Sequence, residues 1–218
     1  MKVIITGATG MVGEGVMLEC VENPAVTQIL LLSRKAYGAS PPKVRELIVP
    51  DFMQLENAVG QLGGYDACFF CAGVTSVGKS AAEYTRITYD TTLHVAETLA
   101  KVNPGMVFVY VSGAGTDSTE KGRMMWARVK GRTENALARV GFRAEYNFRP
   151  GFMKAMPGQK NLPGSYLGFA WLYPVLRIVA ANYASTLQGV ARAMIRCAAD
   201  GYPKTVLEVK DINAAGGL

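Results

Sequence analysis

Histidine is almost absent from the sequence, with His94 the only one among 218 residues. Metal centres built on imidazole, and sites that pair a serine or cysteine nucleophile with a histidine base, both need this residue. His94 itself lies in an apolar-periodic stretch with Val95 and Leu99, which is typical of an ordinary helix. We therefore expect neither a bound metal nor serine–histidine chemistry.

Cysteine is also sparse, and its spacing argues against a thiol metal site. The chain has four cysteines, of which Cys68 and Cys71 form the sequence CFFC in an apolar run. Residues three apart in a strand point to opposite faces, so these two thiols do not readily chelate one ion. We predict buried strand cysteines without a disulfide framework.

No apolar run is long enough to span a membrane. The longest candidate, residues 166–181, contains Pro174 and Arg177 and is shorter than the roughly 20 residues of a spanning helix. A strand-like segment, Lys2–Thr6, follows Met1 directly and leaves no room for a signal peptide. We expect a cytoplasmic protein with no transmembrane segment.

Charge is low and evenly spread. Only 18% of the residues are charged, and the formal net charge is +6. The cations are scattered apart from a group between residues 121 and 132, so we expect no dedicated nucleic-acid binding. With 218 residues, of which 50% are apolar, the chain can bury the core of one globular domain, which we assign to residues 1–218.

Short apolar runs alternate with longer helical patterns over most of the chain. The runs are VIIT (3–6), ILLLS (29–33), LIVP (47–50), ACFFC (67–71) and MVFVYVS (106–112), with a sixth strand near 143–148. Helices are predicted near 12–22, 53–62, 80–102 and 123–140. This order predicts a doubly wound Rossmann fold of the α/β class with a mainly parallel sheet.

The pattern loosens after Pro150 into a Gly- and Pro-rich stretch. Helical stretches near 165–181 and 185–199 and a short strand at 205–209 follow. Ligands of open α/β sheets bind beyond the carboxyl ends of the strands. We therefore expect residues 151–218 to form a small C-terminal helical covering segment on the substrate side of the same domain.

Three glycines, Gly7, Gly10 and Gly13, follow the first predicted strand and open the first predicted helix. Glycines in this context form a tight turn, admit a pyrophosphate close to the backbone and pack the helix closely. Free N–H groups and the positive helix end then face the phosphates. The turn predicts a dinucleotide site with these contacts: Gly7, Thr9, Gly10, Met11, Val12 and Gly13.

The second predicted strand ends without the carboxylate that takes the ribose hydroxyls of NAD in such sites. The residues at that position are Ser33, Arg34 and Lys35. A hydroxyl and two cations suit the 2′-phosphate of NADP. We therefore predict NADP(H) in preference to NAD(H), while a merely solvated Arg34 at the strand end stays open as the alternative.

The sequence resembles the atypical branch of the short-chain dehydrogenase/reductase superfamily, and within it a subgroup similar to NAD-dependent epimerases and dehydratases. The resemblance runs through most of the chain, on TGATGxxG, VPDF (49–52), FFCAG (69–73) and RPG (149–151). It implies contacts at the adenine, at the adenine ribose and beside the nicotinamide. In that order the implied residues are Asp51 and Phe52; Cys71, Ala72, Gly73 and Val74; and Pro150 and Gly151.

The resemblance also implies a catalytic serine, tyrosine and lysine, of which this sequence supplies two. Ser112 fits the serine that orients the substrate oxygen, and Lys130 fits the lysine that holds the cofactor ribose. The tyrosine position is Trp126, whose indole N–H donates a hydrogen bond but cannot cycle a proton as a phenol does. Many relatives carry an asparagine on the fourth helix, and this sequence has Thr88 at that position.

Two other sources of the proton stay open. Another tyrosine is the first, and the candidates are Tyr84, Tyr110, Tyr146 and Tyr166, with Tyr166 the most open. Water is the second, because an activated acceptor such as a flavin or quinone takes a hydride without a side-chain proton donor.

Two functions remain open on these grounds. One is an NADP(H)-dependent oxidoreductase that acts on an unidentified small molecule. The other is a non-catalytic NADP(H)-binding redox sensor or scaffold for a protein partner. Trp126 favours it, and so does an apolar, largely aromatic helical stretch around Phe169, Trp171, Leu172 and Tyr173. Ordinary packing would also explain this stretch. A nucleotide-sugar epimerase or dehydratase is a weaker third hypothesis, because such enzymes need the tyrosine and a larger C-terminal domain.

Overall fold

The computed structural model describes residues 1–38, 41–164, 166 and 183–217. Nine strands lie in this part of the chain: β1 (Lys2–Thr6), β2 (Gln28–Ser33), β3 (Val44–Ile48), β4 (Ala67–Phe70), β5 (Val107–Val111), β6 (Ala144–Arg149), β7 (Phe152–Lys154), β8 (Ala184–Thr186) and β9 (Val206–Glu208). Seven of them form one parallel sheet in the order β3-β2-β1-β4-β5-β6-β9. The remaining two, β7 and β8, form a separate parallel pair.

Helices cover both faces of the seven-stranded sheet. They are α1 (Met11–Glu22), α2 (Ala81–Thr85), α3 (Thr91–Val102), α4 (Met125–Leu137), α5 (Leu187–Asp200) and α6 (Val209–Gly216). One core packs the sheet against α1, α5 and α6, and the other packs it against α3, α4 and a 3₁₀ segment at Phe52–Gln61. Among the described residues no helix combines the length and the hydropathy needed to cross a bilayer.

Burial on both faces explains the continuous apolar runs of the central strands. The residues of β4 are all buried, as are Val3 to Thr6 of β1. Strands covered by helices on both sides carry such runs, whereas a half-exposed strand alternates apolar and polar residues. The predicted doubly wound α/β fold with a mainly parallel sheet is therefore confirmed.

Several predicted element boundaries differ from the structure. The third strand is Val44–Ile48 rather than 47–50, and the predicted helix at 53–62 is the 3₁₀ segment, which Gln54 interrupts with a non-helical backbone. The predicted helix at 80–102 is divided by a π-helical turn, Arg86–Asp90. The predicted strand at 205–209 is Val206–Glu208 and is followed by α6, whereas the predicted helix near 165–181 lies almost wholly outside the described residues.

The connections around β1 place a crevice at one edge of the sheet. From β1 the chain moves outward to β2 and β3 and then returns to β4 on the other side of β1. The segments that follow β1 and β4 therefore diverge at the carboxyl ends of these strands. Such a switch point is where open α/β sheets bind ligands.

Candidate active site

A cleft of about 900 Å³ opens at this switch point. Loops that follow β1, β2, β3, β4, β5 and β6 contribute to its walls, so residues far apart in the sequence meet here. The cleft brings together sixteen of the nineteen residues predicted as cofactor contacts or catalytic groups: Gly7, Thr9, Gly10, Met11, Val12, Ser33, Arg34, Lys35, Phe52, Cys71, Ala72, Gly73, Val74, Ser112, Lys130 and Pro150.

The glycine turn packs tightly on β4 and leaves the start of α1 open. Gly7 has φ +74°, and a Cβ on it would lie 2.8 Å from the backbone N of Ala72. The N–H of Gly10 donates to the Gly7 carbonyl at 2.9 Å, and Gly10 caps α1 without any side-chain hydrogen bond. Unlike α5, where Thr186 caps the helix, α1 thus offers its first N–H groups to an anion.

Gly10 and Gly13 have different surroundings. A Cβ on Gly10 would meet only the Gly7 carbonyl, at 3.5 Å, so the cleft side of this residue is open. A Cβ on Gly13 would lie 2.3 Å from the same oxygen, and Gly13 is not part of the cleft wall. Gly13 therefore serves the packing of α1 on the turn rather than direct contact with a ligand.

The end of β2 presents a hydroxyl and two cations to the cleft. The Ser33 hydroxyl is buried and has no hydrogen-bond partner among the described residues. Arg34 and Lys35 follow it on the exposed rim, and Arg34 also borders a second, smaller cavity. A buried hydroxyl without a partner is costly, so its position favours a polar ligand at this end of the cleft.

The second cavity, of about 330 Å³, extends the cleft beyond Phe52, Ala72 and Gly73. Asp51 borders this cavity instead of the main cleft, and its Oδ1 accepts a hydrogen bond from the Met53 N–H at 3.0 Å. Asp51 thereby fixes the start of the 3₁₀ segment. Its predicted contact with the adenine would have to be made from this adjoining space.

The two cysteines of CFFC point into different cores. Cys68 packs in the core with α3 and α4, and Cys71 packs against the core with α1. Burial raises the pKa of the Cys71 thiol to about 12. In the described part of the chain no group of three or more His, Cys, Asp or Glu side chains is placed to hold a metal ion.

Lys130 and Ser112 meet at the other end of the cleft. Lys130, on α4, donates a hydrogen bond through Nζ to the Ser112 carbonyl. Burial lowers the pKa of Lys130 to about 8, and the nearby Glu134 opposes this change. Lys130 is therefore a partly desolvated cation that still needs acceptors, as a lysine that binds ribose hydroxyls would.

A buried ionic network lies behind Ser112. The Ser112 hydroxyl donates to Glu134 Oε1 at 2.5 Å, and Arg149 donates to the same carboxylate through Nε at 3.0 Å and through a second nitrogen. Arg149 also pairs with Glu208 at 3.0 Å. The sequence analysis did not identify Glu134 or Arg149 as partners, although Glu134 follows Lys130 by one helical turn.

Trp126 is not part of the cleft wall in the described structure. Its indole ring instead approaches the loop after β5, where a Cβ on Gly115 would lie 3.5 Å from it. The residue at the usual tyrosine position therefore packs on a loop and presents no donor to the cleft.

Two of the four alternative tyrosines line the cleft and two do not. Tyr84 and Tyr110 border it, both are almost fully buried, and burial raises the pKa of each phenol. Tyr146 accepts a hydrogen bond from the Tyr202 N–H at 3.0 Å in the opposite core. Tyr166 accepts one from the Ala155 N–H at 2.7 Å, outside the cleft wall.

Some cleft residues were not predicted as contacts from the sequence, and Gly151, like Gly13 and Asp51, is predicted but absent from the cleft wall. Thr88, which replaces the asparagine, lies in the π-helical turn and does line the cleft. Pro50, Val111, Gly113 and Met153 also line it, and only their adjacency to predicted contacts could have indicated them. Gly151 does not, because it packs on the chain before β8, where a Cβ would lie 2.3 Å from the Tyr183 carbonyl oxygen.

Comparison with known families gives one match that covers more than half of the chain. The model of the "NAD dependent epimerase/dehydratase family" matches residues 3–121. Among curated proteins, "Protein fmp52, mitochondrial" of Emericella nidulans is 28% identical over 158 residues, which cover 70% of this chain and 66% of that protein. "Protein FMP52, mitochondrial" of Candida albicans is 27% identical over 194 residues, covering 84% of this chain and 83% of that protein.

Solved structures share the fold at low sequence identity. MoeE5 in complex with UDP-glucose and NAD has a TM-score of 0.68 at 17% identity, over 100% of this chain and 81% of that one. The dTDP-glucose 4,6-dehydratase DesIV of Streptomyces venezuelae, with NAD bound, has a TM-score of 0.69 at 14% identity, over 99% and 80%. Both neighbours hold NAD, and their likeness shows that this chain shares their Rossmann-like fold.

The cytoplasmic location expected from the sequence is wrong by these comparisons, because the curated relatives are named as mitochondrial proteins. The expectation rested on the strand that follows Met1. Where a sequence begins does not by itself fix the compartment of the protein.

Proposed function

Because the chain belongs to the NAD dependent epimerase/dehydratase family, we propose that it is an atypical short-chain oxidoreductase that uses NADP(H). One observation carries the proposal: a single cleft joins an open helix N-terminus, a Ser-Arg-Lys group and the partly buried Lys130. NADPH would supply the hydride from its nicotinamide ring. The remaining steps fall to the residues of the cleft.

The 2′-phosphate would bind at the end of β2. Arg34 and Lys35 provide positive charge there, and the Ser33 hydroxyl is free to donate to a phosphate oxygen. Charged hydrogen bonds to phosphate are roughly twice as strong as neutral ones. Since β2 ends without a carboxylate, NAD(H) would lack its usual ribose acceptor at this position.

The substrate end of the cleft favours acceptors that need no proton at the moment of hydride transfer. Trp126 is outside the wall, and the Ser112 proton is held by Glu134. A quinone or flavin forms a delocalised anion on accepting a hydride, and water or Lys130 then supplies the proton. A simple ketone forms a localised alkoxide, which this cleft would stabilise poorly.

The second candidate is a protein that binds NADP(H) without turning it over. The same two observations favour it: Trp126 stands at the position expected for the catalytic tyrosine, and the Ser112 hydroxyl is already bonded to Glu134. In that case the nucleotide would act as a structural ligand or redox signal for a protein partner.

The cofactor proposal is tested by titrating the purified protein with NADPH and NADH, following energy transfer from tryptophan to the nicotinamide. We expect tighter binding of NADPH, and a loss of about tenfold or more in Arg34→Ala for NADPH alone. Arg45→Ala, which removes an exposed cation from β3, is the matched control. Equal affinities for both nucleotides, unchanged in Arg34→Ala, would remove the NADP assignment.

The choice between the two candidates needs an activity test. NADPH oxidation is followed at constant enzyme with a naphthoquinone, a free flavin and an aromatic aldehyde as acceptors. Turnover with the first two that is lost in Lys130→Met supports the oxidoreductase. Tight NADPH binding with no turnover of any acceptor supports the binding protein.

A further inference from the structure

Glu14 is a fully buried carboxylate in the first turn of α1, the helix that begins at the glycine turn. Among the described residues no lysine or arginine forms an ion pair with it. A buried carboxylate without a cation is costly unless hydrogen-bond donors satisfy it. Its donors therefore identify the parts of the chain that must stay in place around it.

Two of these donors come from a loop that we call the covering loop, residues 156–161. The Lys160 N–H lies 3.0 Å from Glu14 Oε2, and the Asn161 N–H lies 2.7 Å from the same oxygen. A separate contact supports this attachment, since Gln159 Nε2 donates to the Met11 carbonyl at 2.7 Å. Met11 lines the cleft, so the covering loop is bound directly to the cofactor turn.

The third donor comes from the segment that follows β2. The Tyr37 hydroxyl donates to Glu14 Oε1 at 2.9 Å. Tyr37 belongs to the segment that carries Arg34 and Lys35, and its own N–H is fixed by Glu46 Oε2 at 2.9 Å. Glu14 thus joins the segment proposed to bind the 2′-phosphate to the covering loop.

We propose that Glu14 is a positioning residue that couples recognition of the 2′-phosphate to the placement of the covering loop. The inference rests on the proposed NADP(H) binding. A phosphate held by Arg34 and Lys35 restricts the segment up to Tyr37, which keeps the phenol on Glu14. The carboxylate then stays oriented on the amides of Lys160 and Asn161.

The coupling works in both directions. Because linkage is reciprocal, a covering loop that is held in place also favours the nucleotide that carries the 2′-phosphate. NADPH would therefore order the covering loop more strongly than NADH, although the two nucleotides differ only at the 2′-phosphate.

The test is amide hydrogen exchange at Lys160 and Asn161, measured without nucleotide, with NADPH and with NADH. Glu14→Gln keeps the side-chain shape but removes the negative charge and one of the two acceptor oxygens. We expect these two amides to exchange about tenfold faster in this variant, because charged hydrogen bonds are lost. Glu19→Gln is the matched control, since Glu19 is a buried carboxylate of the same helix that binds Arg192 and Gln188 instead.

Tyr37→Phe isolates the coupling from the attachment itself. It removes the phenol hydrogen bond while both backbone bonds to Glu14 remain. In the natural protein we expect NADPH to slow exchange of the two amides at least about threefold more than NADH at saturation. In Tyr37→Phe the two nucleotides should protect the amides equally. This arm also stands if Glu14→Gln fails to fold.

The outcomes separate this inference from the proposed function. Equal protection by NADPH and NADH in the natural protein, with both bound, overturns the coupling and leaves dinucleotide binding intact. If neither nucleotide binds, the proposed function is overturned, and the coupling with it. Unchanged exchange in a folded Glu14→Gln variant overturns the positioning role whatever the nucleotides do.

Discussion

The Ser112 hydroxyl donates to Glu134 Oε1 at 2.5 Å, so a buried carboxylate holds the proton of the predicted catalytic serine. A serine in this state faces a ligand only as an acceptor. Arg149 completes the arrangement by binding both oxygens of Glu134. The serine thus belongs as much to the structural network behind the cleft as to the cleft itself.

Replacing Ser112 should therefore affect stability. Ser112→Ala removes one donor from the buried Glu134 carboxylate, and we expect a loss of about 1–3 kcal/mol in the free energy of unfolding. Urea denaturation measures this change. Ser185→Ala is the control, because the Ser185 hydroxyl is buried with no partner among the described residues, and its removal should be neutral. Equal effects of the two substitutions would contradict the role assigned to the Glu134 bond.

Lys130 should make stability depend on alkaline pH. Burial lowers its pKa from the usual 10.5 to about 8, so between these values the unfolded chain holds one proton more than the folded protein. The free energy of unfolding then rises with pH across this window, by about 1.4 kcal/mol per pH unit at most. Lys130→Met lacks this contribution. Urea denaturation of both proteins at pH 7.5, 9 and 10 tests it, and a constant difference between them would refute it.

Glu145 should act in the opposite direction at lower pH. Burial and the charge of Glu134 together raise its pKa from 4.5 to about 8, and Asn147 opposes this change. Between these pH values the unfolded chain ionises while the folded protein keeps the proton, so stability falls as pH rises. As pH rises from 5 to 8, the stability of the Glu145→Gln variant relative to the natural protein should therefore increase by roughly a few kcal/mol. Thermal denaturation at both pH values decides, and parallel curves would count against a raised pKa.

The glycines of the turn should separate binding from folding. Gly10→Ala fits without a clash, so we expect a folded protein whose NADPH affinity falls about tenfold or more, as the methyl group meets the phosphates. Gly13→Ala places a Cβ 2.3 Å from the Gly7 carbonyl oxygen and should cost about 2–3 kcal/mol of stability. Denaturation and nucleotide titration of both variants give the comparison. A stable Gly13→Ala protein would show that the turn shifts more easily than its contacts indicate.

Local patterns predicted the elements that depend on neighbouring residues. Continuous apolar runs gave the central strands, because both faces of β1 and β4 are buried. The glycine spacing predicted the open start of α1, since the turn and the helix are continuous in sequence. The 3₁₀ segment at Phe52–Gln61 was missed because its apolar spacing also fits an α-helix, and the interruption at Gln54 leaves no signature in that spacing.

Relationships between distant residues could not be predicted in the same way. Glu14 reads as an ordinary acidic residue in the first turn of a helix, and only the folded chain brings Lys160 and Asn161 to it. The proton of Ser112 is likewise assigned by Glu134, from another element. The family resemblance identified Trp126 at the tyrosine position, four residues before Lys130, but its packing on the Gly115 loop depends on how that loop folds.

The short ladder of β7 and β8 has a consequence for how the protein can diversify. Met153 pairs with Ser185 in this ladder, so the chain leaves the scaffold and rejoins it at one place. A segment with fixed ends tolerates changes in length cheaply, about 0.6 kcal/mol for each doubling. A change in the length of chain between β7 and β8 should therefore leave the register of the seven-stranded sheet unchanged, because neither strand belongs to that sheet.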